Sequence, residues 1–243
     1  MSVLFHVSDL HFGREDQTAL AWFADAVARE QPDVVVVTGD LTMRARSHEF
    51  EAAKAWLAAL KRPITLEVGN HDLPYFNPLR RLFMPYRRFK RVEKAIERPI
   101  ELADARLVPL KTTARAQMRF NWASGRVSRR GLAAAVAALA ETPPDMAAIV
   151  TCHHPLFAVT RDRGEITARG SAALKLLAAA GADMVLSGHI HDPFDRVWRY
   201  GGHSVRMIGA GTLSTRVRKT RPSFNRIDIS PEGMNVSARV MGT

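Results

Sequence analysis

The chain of 243 residues has one cysteine, Cys152, and lacks any long apolar run. A single thiol excludes an internal disulfide, which is typical of a protein from a reducing compartment. The longest wholly apolar stretch, residues 132–140, is about half of the ~20 residues that cross a bilayer, so we expect no transmembrane helix. The run after Met1 lacks a basic region and a small-residue cleavage site, which predicts no signal peptide and a cytoplasmic location.

Internal repeats, low-complexity tracts and linkers rich in Gly, Ser or Pro are lacking too. With 47% hydrophobic and 24% charged residues, the composition excludes wholesale disorder and predicts one domain over residues 1–243. Acidic residues are the scarcer charge, because 35 Lys and Arg face 24 Asp and Glu, for a net charge of +11. This excess favours nucleic acid, phosphorylated molecules or anionic membrane surfaces as partners.

Short apolar segments alternate with segments of helical periodicity in the first two-thirds of the chain. Strands are predicted at residues 3–8, 34–37, 64–68, 147–151 and 184–187, and helices at 17–30, 47–60, 128–141 and 169–180. We expect Ser47 to cap the second helix and Gly181 to end the last one. Gly201-Gly202 and the strand-like runs around it indicate antiparallel hairpins near the C-terminus, so the pattern predicts an α/β layered sandwich.

Five of these strands are followed at once by residues of the types that bind metal ions. They are Asp9 and His11, Asp40, Asn70 and His71, His153, and His189 and His191. The carboxyl ends of neighbouring strands in open α/β sheets converge on one crevice, so these distant residues are expected to meet there. We expect the glycines before Asp40, Asn70 and His189 to let the backbone turn sharply.

The side-chain types in this set are consistent with one another. Apart from His71, two Asp, one Asn and four His offer oxygen and nitrogen donors without thiolate, which suits Mn, Fe, Zn or Co. These ligands are too many for one ion but fit two ions if a carboxylate bridges them. Two ions about 3.5–4 Å apart can share a water, make it a hydroxide at neutral pH and hold phosphoryl oxygens for in-line attack.

The order Asp-x-His, Gly-Asp, Gly-Asn-His-Asp, His and Gly-His-x-His resembles the calcineurin-like metallophosphoesterase superfamily. The resemblance runs from Asp9 to His191 and implies two packed mixed β-sheets flanked by helices, a four-layer αββα sandwich. It implies two transition metal ions, Mn, Fe or Zn, divalent or of mixed valence. The implied ligands are Asp9, His11, Asp40 and His191 for one ion, and Asp40, Asn70, His153 and His189 for the other. His71 takes the position of the catalytic, non-ligand histidine beside the substrate phosphate, and Asn70 would also contact substrate.

Within the superfamily, the sequence is similar to the class III cyclic-nucleotide phosphodiesterases and related small bacterial phosphodiesterases. The similarity rests on the opening Ser8-Asp9-Leu10-His11-Phe12 and on His153-His154-Pro155. It implies a metal-dependent phosphoric diester hydrolase that acts on a small phosphodiester, with a 3′,5′-cyclic nucleotide as one candidate. The alternatives are a DNA or RNA nuclease of the repair-exonuclease type and a hydrolase of lipid-linked nucleotide diphosphates. A metal-free binding scaffold is disfavoured, because such scaffolds lose ligands and this chain keeps all of them.

Residues 79–98 form a basic helical segment with eight Lys or Arg residues. Its apolar spacing predicts an amphipathic helix pair interrupted at Pro85. The side chains expected to face inward are Leu79, Leu82, Phe83, Tyr86, Phe89, Val92 and Ile96. The alternative is a basic rim beside the active site that contacts substrate, nucleic acid or a membrane surface. The sequence leaves this choice and the oligomeric state open.

Three further residues near these motifs are expected to have structural roles. Asp72 is predicted to cap a turn or orient His71. His154 points away from the ligand side if the strand pleat continues, and Cys152 is expected to be a small buried hydrophobe.

Overall fold

The computed structural model describes residues 1–114, 123–158 and 167–243, and two five-stranded mixed sheets form its centre. The first sheet has the spatial order β12 (Gly233–Val240), β11 (Ser223–Ser230), β1 (Ser2–Val7), β2 (Val34–Val37) and β3 (Ile64–Leu66). Strands β1, β2 and β3 are parallel to one another, whereas β11 pairs antiparallel with both β1 and β12.

The second sheet has the order β4 (Ala105–Pro109), β6 (Ala147–Thr151), β8 (Met184–Ser187), β10 (His203–Gly209) and β9 (Phe194–Tyr200). Its first four strands are parallel, and β9 pairs antiparallel with β10 across the predicted Gly201-Gly202 turn. A separate short ladder pairs β5 (Gly125–Arg126) with β7 (Thr167–Ala168).

Helices cover the outer faces of the two sheets. They are α1 (Gln17–Glu30), α2 (Ser47–Ala59), α3 (Pro78–Phe83), α4 (Arg87–Ile96), α5 (Arg129–Ala140) and α6 (Gly170–Ala179). Among the described residues, no helix has the length and apolar character needed to cross a membrane.

Three apolar clusters separate the layers of the fold. One lies between the sheets, where Leu4 of β1 belongs to the same cluster as Ile149 of β6. Neighbouring strand residues point the opposite way, so Phe5 of β1 packs with Phe23 of α1 in a second cluster. A third cluster joins the other sheet to α5 and α6. This arrangement is the predicted αββα sandwich.

The predicted strands and helices end within two residues of their observed positions. Gly181 follows α6 with a left-handed φ of 93°, as expected. The predicted cap at Ser47 is wrong, because Ser47 is already the first residue of α2 and Arg46 precedes it as the capping position. The Glu49 carboxylate accepts the N–H groups of Arg44 and Arg46 instead, over 2.9 and 3.0 Å.

The basic segment forms α3 and α4, separated at residues 84–86. In α4 the side chains of Phe89 and Val92 are buried, as predicted. In α3 the prediction is wrong, because Leu79 and Phe83 are 69% and 71% exposed. This six-residue helix buries Arg81, and its apolar side chains therefore lie at the surface.

A buried carboxyl group links the two sheets near their strand ends. Glu67 follows β3, and the hydroxyl of Thr151, at the end of β6, donates a 2.6 Å hydrogen bond to Glu67 Oε1. Burial raises the pKa of Glu67 from 4.5 to about 8, and the Thr151 hydrogen bond opposes this shift only in part. Glu67 is therefore a carboxyl group that stays protonated at neutral pH in the folded protein.

Changing Glu67 to Gln should stabilise the fold increasingly between pH 4.5 and 8. In this range the unfolded chain has released the carboxyl proton and the folded chain retains it, so wild-type stability falls as pH rises. Gln keeps the acceptor for Thr151 and cannot ionise. We expect a gain of about 1 kcal/mol or more at pH 8, about 2–4 °C in Tm, and none at pH 4. Calorimetry at several pH values measures the Tm, and Glu101→Gln, at an exposed position, is the control. The same pH dependence of Tm in both variants would contradict the prediction.

Candidate metal centre

The structure brings the eight predicted site residues to one edge of the two sheets. The strands β1, β2, β3, β6 and β8 all end there. Ligand atoms of Asp9, His11 and His191 lie within 4.8 Å of one another, and so do those of Asp9, Asp40 and His153. These five side chains are buried. Asn70, His71 and His189, which complete the set, are half-buried.

The backbone is strained at most of these positions. Asp9, His11, Asp40, His189 and His191 all adopt left-handed conformations, with φ between 46° and 69°. Such conformations cost about 1–3 kcal/mol in residues other than glycine and persist only where the surrounding structure enforces them. The strain is concentrated directly after the strands, where the chain must turn an Asp or His side chain into the cluster.

The glycines beside these residues serve two different purposes. Gly39 has a φ of 98°, so it provides the sharp turn that the sequence predicts. At Gly69 the reason is space, because a Cβ atom would lie 2.0 Å from Asp40 Oδ1. A Cβ at Gly188 would likewise lie 2.7 Å from Asp9 Oδ2. Two of the three predicted turn glycines thus permit close approach rather than a positive φ.

One group of donors surrounds Asp9. Its Oδ1 lies 3.1 Å from His191 Nε2 and 3.6 Å from His11 Nε2, and the two imidazole nitrogens are 3.1 Å apart. His191 Nδ1 is paired with the carbonyl oxygen of Arg216 at 2.8 Å, so Nε2 carries the lone pair in the neutral ring. Three electron-pair donors therefore point at one another.

A second group of donors surrounds Asn70. Its Oδ1 lies 3.1 Å from His153 Nε2 and 3.1 Å from His189 Nδ1. His153 Nδ1 is paired with the Thr38 carbonyl oxygen at 2.7 Å, which directs Nε2 inward. Asp40 lies between the two groups, because its Oδ2 is 3.5 Å from His153 Nε2 and 3.8 Å from His11 Nε2.

The chemistry of this donor set fits bound cations. Asp9 Oδ1 is buried among the inward nitrogens of His191 and His11, which lie 3.1 and 3.6 Å away. The inward nitrogens of His11 and His191 face each other at 3.1 Å, where a cation would satisfy both lone pairs. Oxygen and nitrogen donors without thiolate suit Mn, Fe or Zn.

Charge is distributed unevenly within the cluster. Burial opposes ionisation of Asp40, but the nearby His153, His71 and His11 together hold the pKa of this carboxyl well below its usual range. Burial also lowers the pKa of His153, but Asp40 outweighs it and raises that pKa to about 9. The pKa of His191 is raised in the same way by Asp9 against the effect of burial. Without metal, Asp40 and Asp9 therefore favour the protonated forms of His153 and His191, in which Nε2 holds a proton in place of the lone pair that a cation would use.

Metal binding should weaken as pH falls from 8 to 6, because a bound cation must displace the proton that Asp40 holds on His153 and compete with the protonation that Asp9 favours on His191. The affinity for Zn²⁺ should fall about tenfold per pH unit for each displaced proton. Calorimetry in buffers of different ionisation enthalpy would measure the released protons directly. An affinity that is unchanged or rises toward pH 6 would contradict the interpretation.

His71 lies at the rim of the cluster with its ring fixed from one side. Its Nδ1 is paired with the carbonyl oxygen of Met43 at 2.8 Å, and its backbone N–H donates to Asp40 Oδ1 over 2.8 Å. The ring packs edge-on against His11, with the ring centroids 4.8 Å apart. Its Nε2 is left to face the half-buried guanidinium of Arg216.

Arg216 is a site residue that the sequence analysis missed. Its Nη1 lies 3.3 Å from His71 Nε2 and 3.2 Å from Met43 Sδ, while its carbonyl oxygen pairs with His191. Among the described residues, no carboxylate forms an ion pair with this guanidinium. Arg216 and His71 are 145 positions apart, so no local pattern could reveal the contact.

Polar residues behind the cluster hold its loops together. Asp72 accepts the backbone N–H groups of Leu41, Thr42 and Gly69 over 2.9–3.2 Å, so it joins the loops after β2 and β3. The hydroxyl of Thr212 donates to the Asp9 carbonyl oxygen over 2.6 Å. Asp72 therefore has the structural role predicted for it.

His154 and Cys152 are also accounted for by packing. Both ring nitrogens of His154 have partners, Thr112 Oγ1 at 3.0 Å and the Ala123 carbonyl oxygen at 2.9 Å. Cys152 is fully buried in the apolar cluster on the helical side of the second sheet, and burial raises the pKa of its thiol well above the usual range. Cys152 is thus the small buried hydrophobe that the sequence predicts. The expectation that His154 points away from the ligand side is wrong, because its ring packs 4.6 Å from that of His189 and one of its nitrogens lies within 4.8 Å of ligand atoms of His153 and His189.

An αββα sandwich with a cluster of histidine and aspartate side chains at its strand ends defines a fold of the metallophosphoesterase type. The family model described as calcineurin-like phosphoesterase matches residues 3–193. The chain therefore belongs to the calcineurin-like phosphoesterase family, which confirms the resemblance drawn from its motifs.

Two relatives and one solved structure agree with this placement. The chain is 28% identical over 197 residues to a probable cyclic nucleotide phosphodiesterase of Rhodopseudomonas palustris. This match covers 77% of this chain and 68% of that protein. It is 37% identical over 93 residues to the glycerophosphodiester phosphodiesterase GpdQ of Enterobacter lignolyticus, and this match spans 32% of this chain and 34% of GpdQ. A dimetal phosphatase from Danio rerio shares the fold with a TM-score of 0.68 at 14% identity, over 98% of this chain and 96% of the other.

Proposed function

We propose that the chain is a binuclear-metal phosphodiesterase that hydrolyses a small phosphodiester. The observation that carries the proposal is the position of Asp40 between two groups of converging oxygen and nitrogen donors. In this proposal Asp40 is shared by both ions. The remaining ligands are Asp9, His11 and His191 for one ion, and Asn70, His153 and His189 for the other. Mn, Fe and Zn are the candidate metals.

When bound, such a metal pair supplies an activated water and positive charge that stabilises the phosphoryl oxygens during in-line displacement. The residues of the chain orient that chemistry. Backbone carbonyl oxygens pair with the outer nitrogens of His153 and His191, which fixes both rings with their Nε2 atoms inward. The carboxylate of Asp72 ties together the loops that carry Asp40 and Asn70.

His71 belongs to neither proposed ligand set and is assigned to the leaving group. Its ring orientation is set by the contact between Nδ1 and the Met43 carbonyl oxygen, so Nε2 is the atom that can hold a proton for a departing ester oxygen. Arg216 is assigned to a non-bridging phosphoryl oxygen, since its guanidinium lies beside that nitrogen. Asn70, at the half-buried edge of the cluster, is a further substrate contact in this proposal.

The small-diester assignment is supported by the two relatives, because both are named as phosphodiesterases. A cyclic nucleotide and a glycerophosphodiester are therefore the first substrates to compare. The nuclease and the lipid-linked diphosphate hydrolase remain alternatives that the same measurement distinguishes.

Hydrolysis of a substrate panel by protein loaded with Mn²⁺, Fe²⁺ or Zn²⁺ tests this proposal. The panel contains aryl monoesters and diesters, 3′,5′- and 2′,3′-cyclic nucleotides, glycerophosphodiesters, single-stranded DNA and a nucleotide-linked lipid. We expect small diesters to have the highest kcat/KM. Preferential cleavage of DNA or of the lipid-linked diphosphate would replace the small-diester assignment, and no metal-dependent hydrolysis of any of them would contradict the proposal.

Substitutions at His71 and Arg216 should separate their two roles. His71→Ala should lower kcat by roughly 10²–10⁴, least for diesters with a good leaving group such as nitrophenolate. Arg216→Ala should lower kcat/KM by about 10–100-fold for good and poor leaving groups alike, because it removes a charge-assisted hydrogen bond to the phosphoryl group. Metal content, measured by elemental analysis, should stay unchanged in both variants.

Arg216→Lys serves as the matched variant, since it keeps the charge but loses the planar fork and should recover activity only partly. Leaving-group dependence in the Arg216 variant, or its absence in the His71 variant, would contradict these assignments.

A further inference from the structure

A surface cavity of about 240 Å³ lies beside the candidate metal centre and is lined by four arginines. These are Arg80 of α3 and Arg87, Arg88 and Arg91 of α4; we call this feature the arginine cavity. It accounts for half of the eight basic residues in the basic segment. The proposed catalytic roles use none of them.

Carboxylates of the described residues do not neutralise the charges of the arginine cavity. Among the described residues, none of the four guanidinium groups forms an ion pair with a carboxylate. Arg88 donates to the Ala45 carbonyl oxygen over 2.6 Å, and Arg87 lies 3.8 Å from Met84 Sδ. Four positive charges around one small space attract an anion.

The acidic residues nearby are committed to other contacts. Asp72 also lines the cavity, but its carboxylate accepts backbone N–H groups of the loops after β2 and β3. Glu49 accepts the N–H groups of Arg44 and Arg46. Glu51 pairs with Lys54 on the same helix. The cavity is therefore positive overall rather than part of a balanced surface network.

We propose that the arginine cavity is a second anion site, which binds a phosphate group. Guanidinium groups match phosphate oxygens with paired hydrogen bonds and remain charged at all relevant pH values. The cavity is smaller than the roughly 300–1,000 Å³ pockets that hold drug-sized ligands. Its size and charge suit a single charged group better than a whole amphiphile.

The cavity shares structural segments with the candidate centre. Arg88 contacts the carbonyl of Ala45, and two residues earlier the carbonyl of Met43 contacts His71. Asp72, which lines the cavity, directly follows His71 in the chain. A phosphate in this site would lie beside the loop that positions His71. It is either a second phosphate group of the substrate or an anion that binds separately.

Calorimetric titration of the metal-loaded protein with inorganic phosphate at low ionic strength tests the site. The wild type should show two classes of binding site, one at the metals and one in the cavity. The exposed pair Arg80→Ala and Arg91→Ala should weaken the second class by at least about tenfold and leave the first unchanged. The control pair Arg129→Ala and Arg130→Ala, which is exposed and does not line the cavity, should keep both classes despite the same change in charge.

The absence of any class of phosphate site that the cavity variant weakens, or equal phosphate binding in the cavity variant and the control, would overturn the proposal. Arg80→Gln, measured in the same way, covers the case in which the double variant fails to fold. Because binding is measured without turnover, this test can fail while the proposed hydrolysis stands, and the reverse also holds.

The source of the phosphate is distinguished by a pair of substrates, a comparison that rests on the proposed function. They are thymidine 5′-(4-nitrophenyl phosphate) with and without a 3′-phosphate. If the site holds a substrate group, the cavity variant should raise KM about tenfold or more for the 3′-phosphorylated compound alone. If both compounds keep their KM values while the variant loses phosphate binding, the site holds a separately bound anion.

Discussion

Asp40 is a fully buried carboxylate between two groups of imidazoles, and its charge constrains the structure around it. Its Oδ1 accepts the backbone N–H of His71, and its Oδ2 lies within 4 Å of both His11 and His153. A buried charge costs several kcal/mol unless opposite charges and hydrogen bonds offset its loss of water. The loops after five strands must therefore place their hydrogen-bond donors and imidazoles within a few ångströms of the Asp40 side chain. In our proposal two cations bind there as well.

This requirement explains why the backbone strain collects at the strand ends. Five of the eight site residues have positive φ values. A side chain at Gly69 would collide with the carboxylate of Asp40, and one at Gly188 would collide with that of Asp9. Such a site persists only if rigid elements enforce it. The apolar layer between the sheets, the Asp72 carboxylate and the hydrogen bond from Thr151 to Glu67 fix the strand ends relative to one another.

The sequence predicts the layers and the convergence of the site because both depend on local patterns: strand periodicity, helix periodicity and polar residues directly after strands. Features set by tertiary packing are not predictable in this way. The outward face of α3 follows from the burial of Arg81 in a helix too short to show a clear period. The approach of Arg216 to His71 joins segments 145 positions apart, and it depends on the hairpin strands that return the chain to the first sheet. The ligand roles of the site residues and the single-domain assignment stay predictions.

The positions of Arg216 and of the arginine cavity explain part of the net charge of +11. Asp9 and Asp40 are ionised at the centre of the cluster, and without metal the protons that they favour on His191 and His153 offset their negative charge, so the cluster itself offers a phosphodiester little attraction. Arg216 at its rim and the arginine cavity beside it present positive charge without carboxylate partners among the described residues. Cations at the centre and guanidinium groups around it would then act in the same direction, since both lower the potential energy of an approaching phosphate. Part of the excess of basic over acidic residues therefore belongs to the site. The electrostatic field in which the substrate binds comes from these guanidinium groups as well as from the metals.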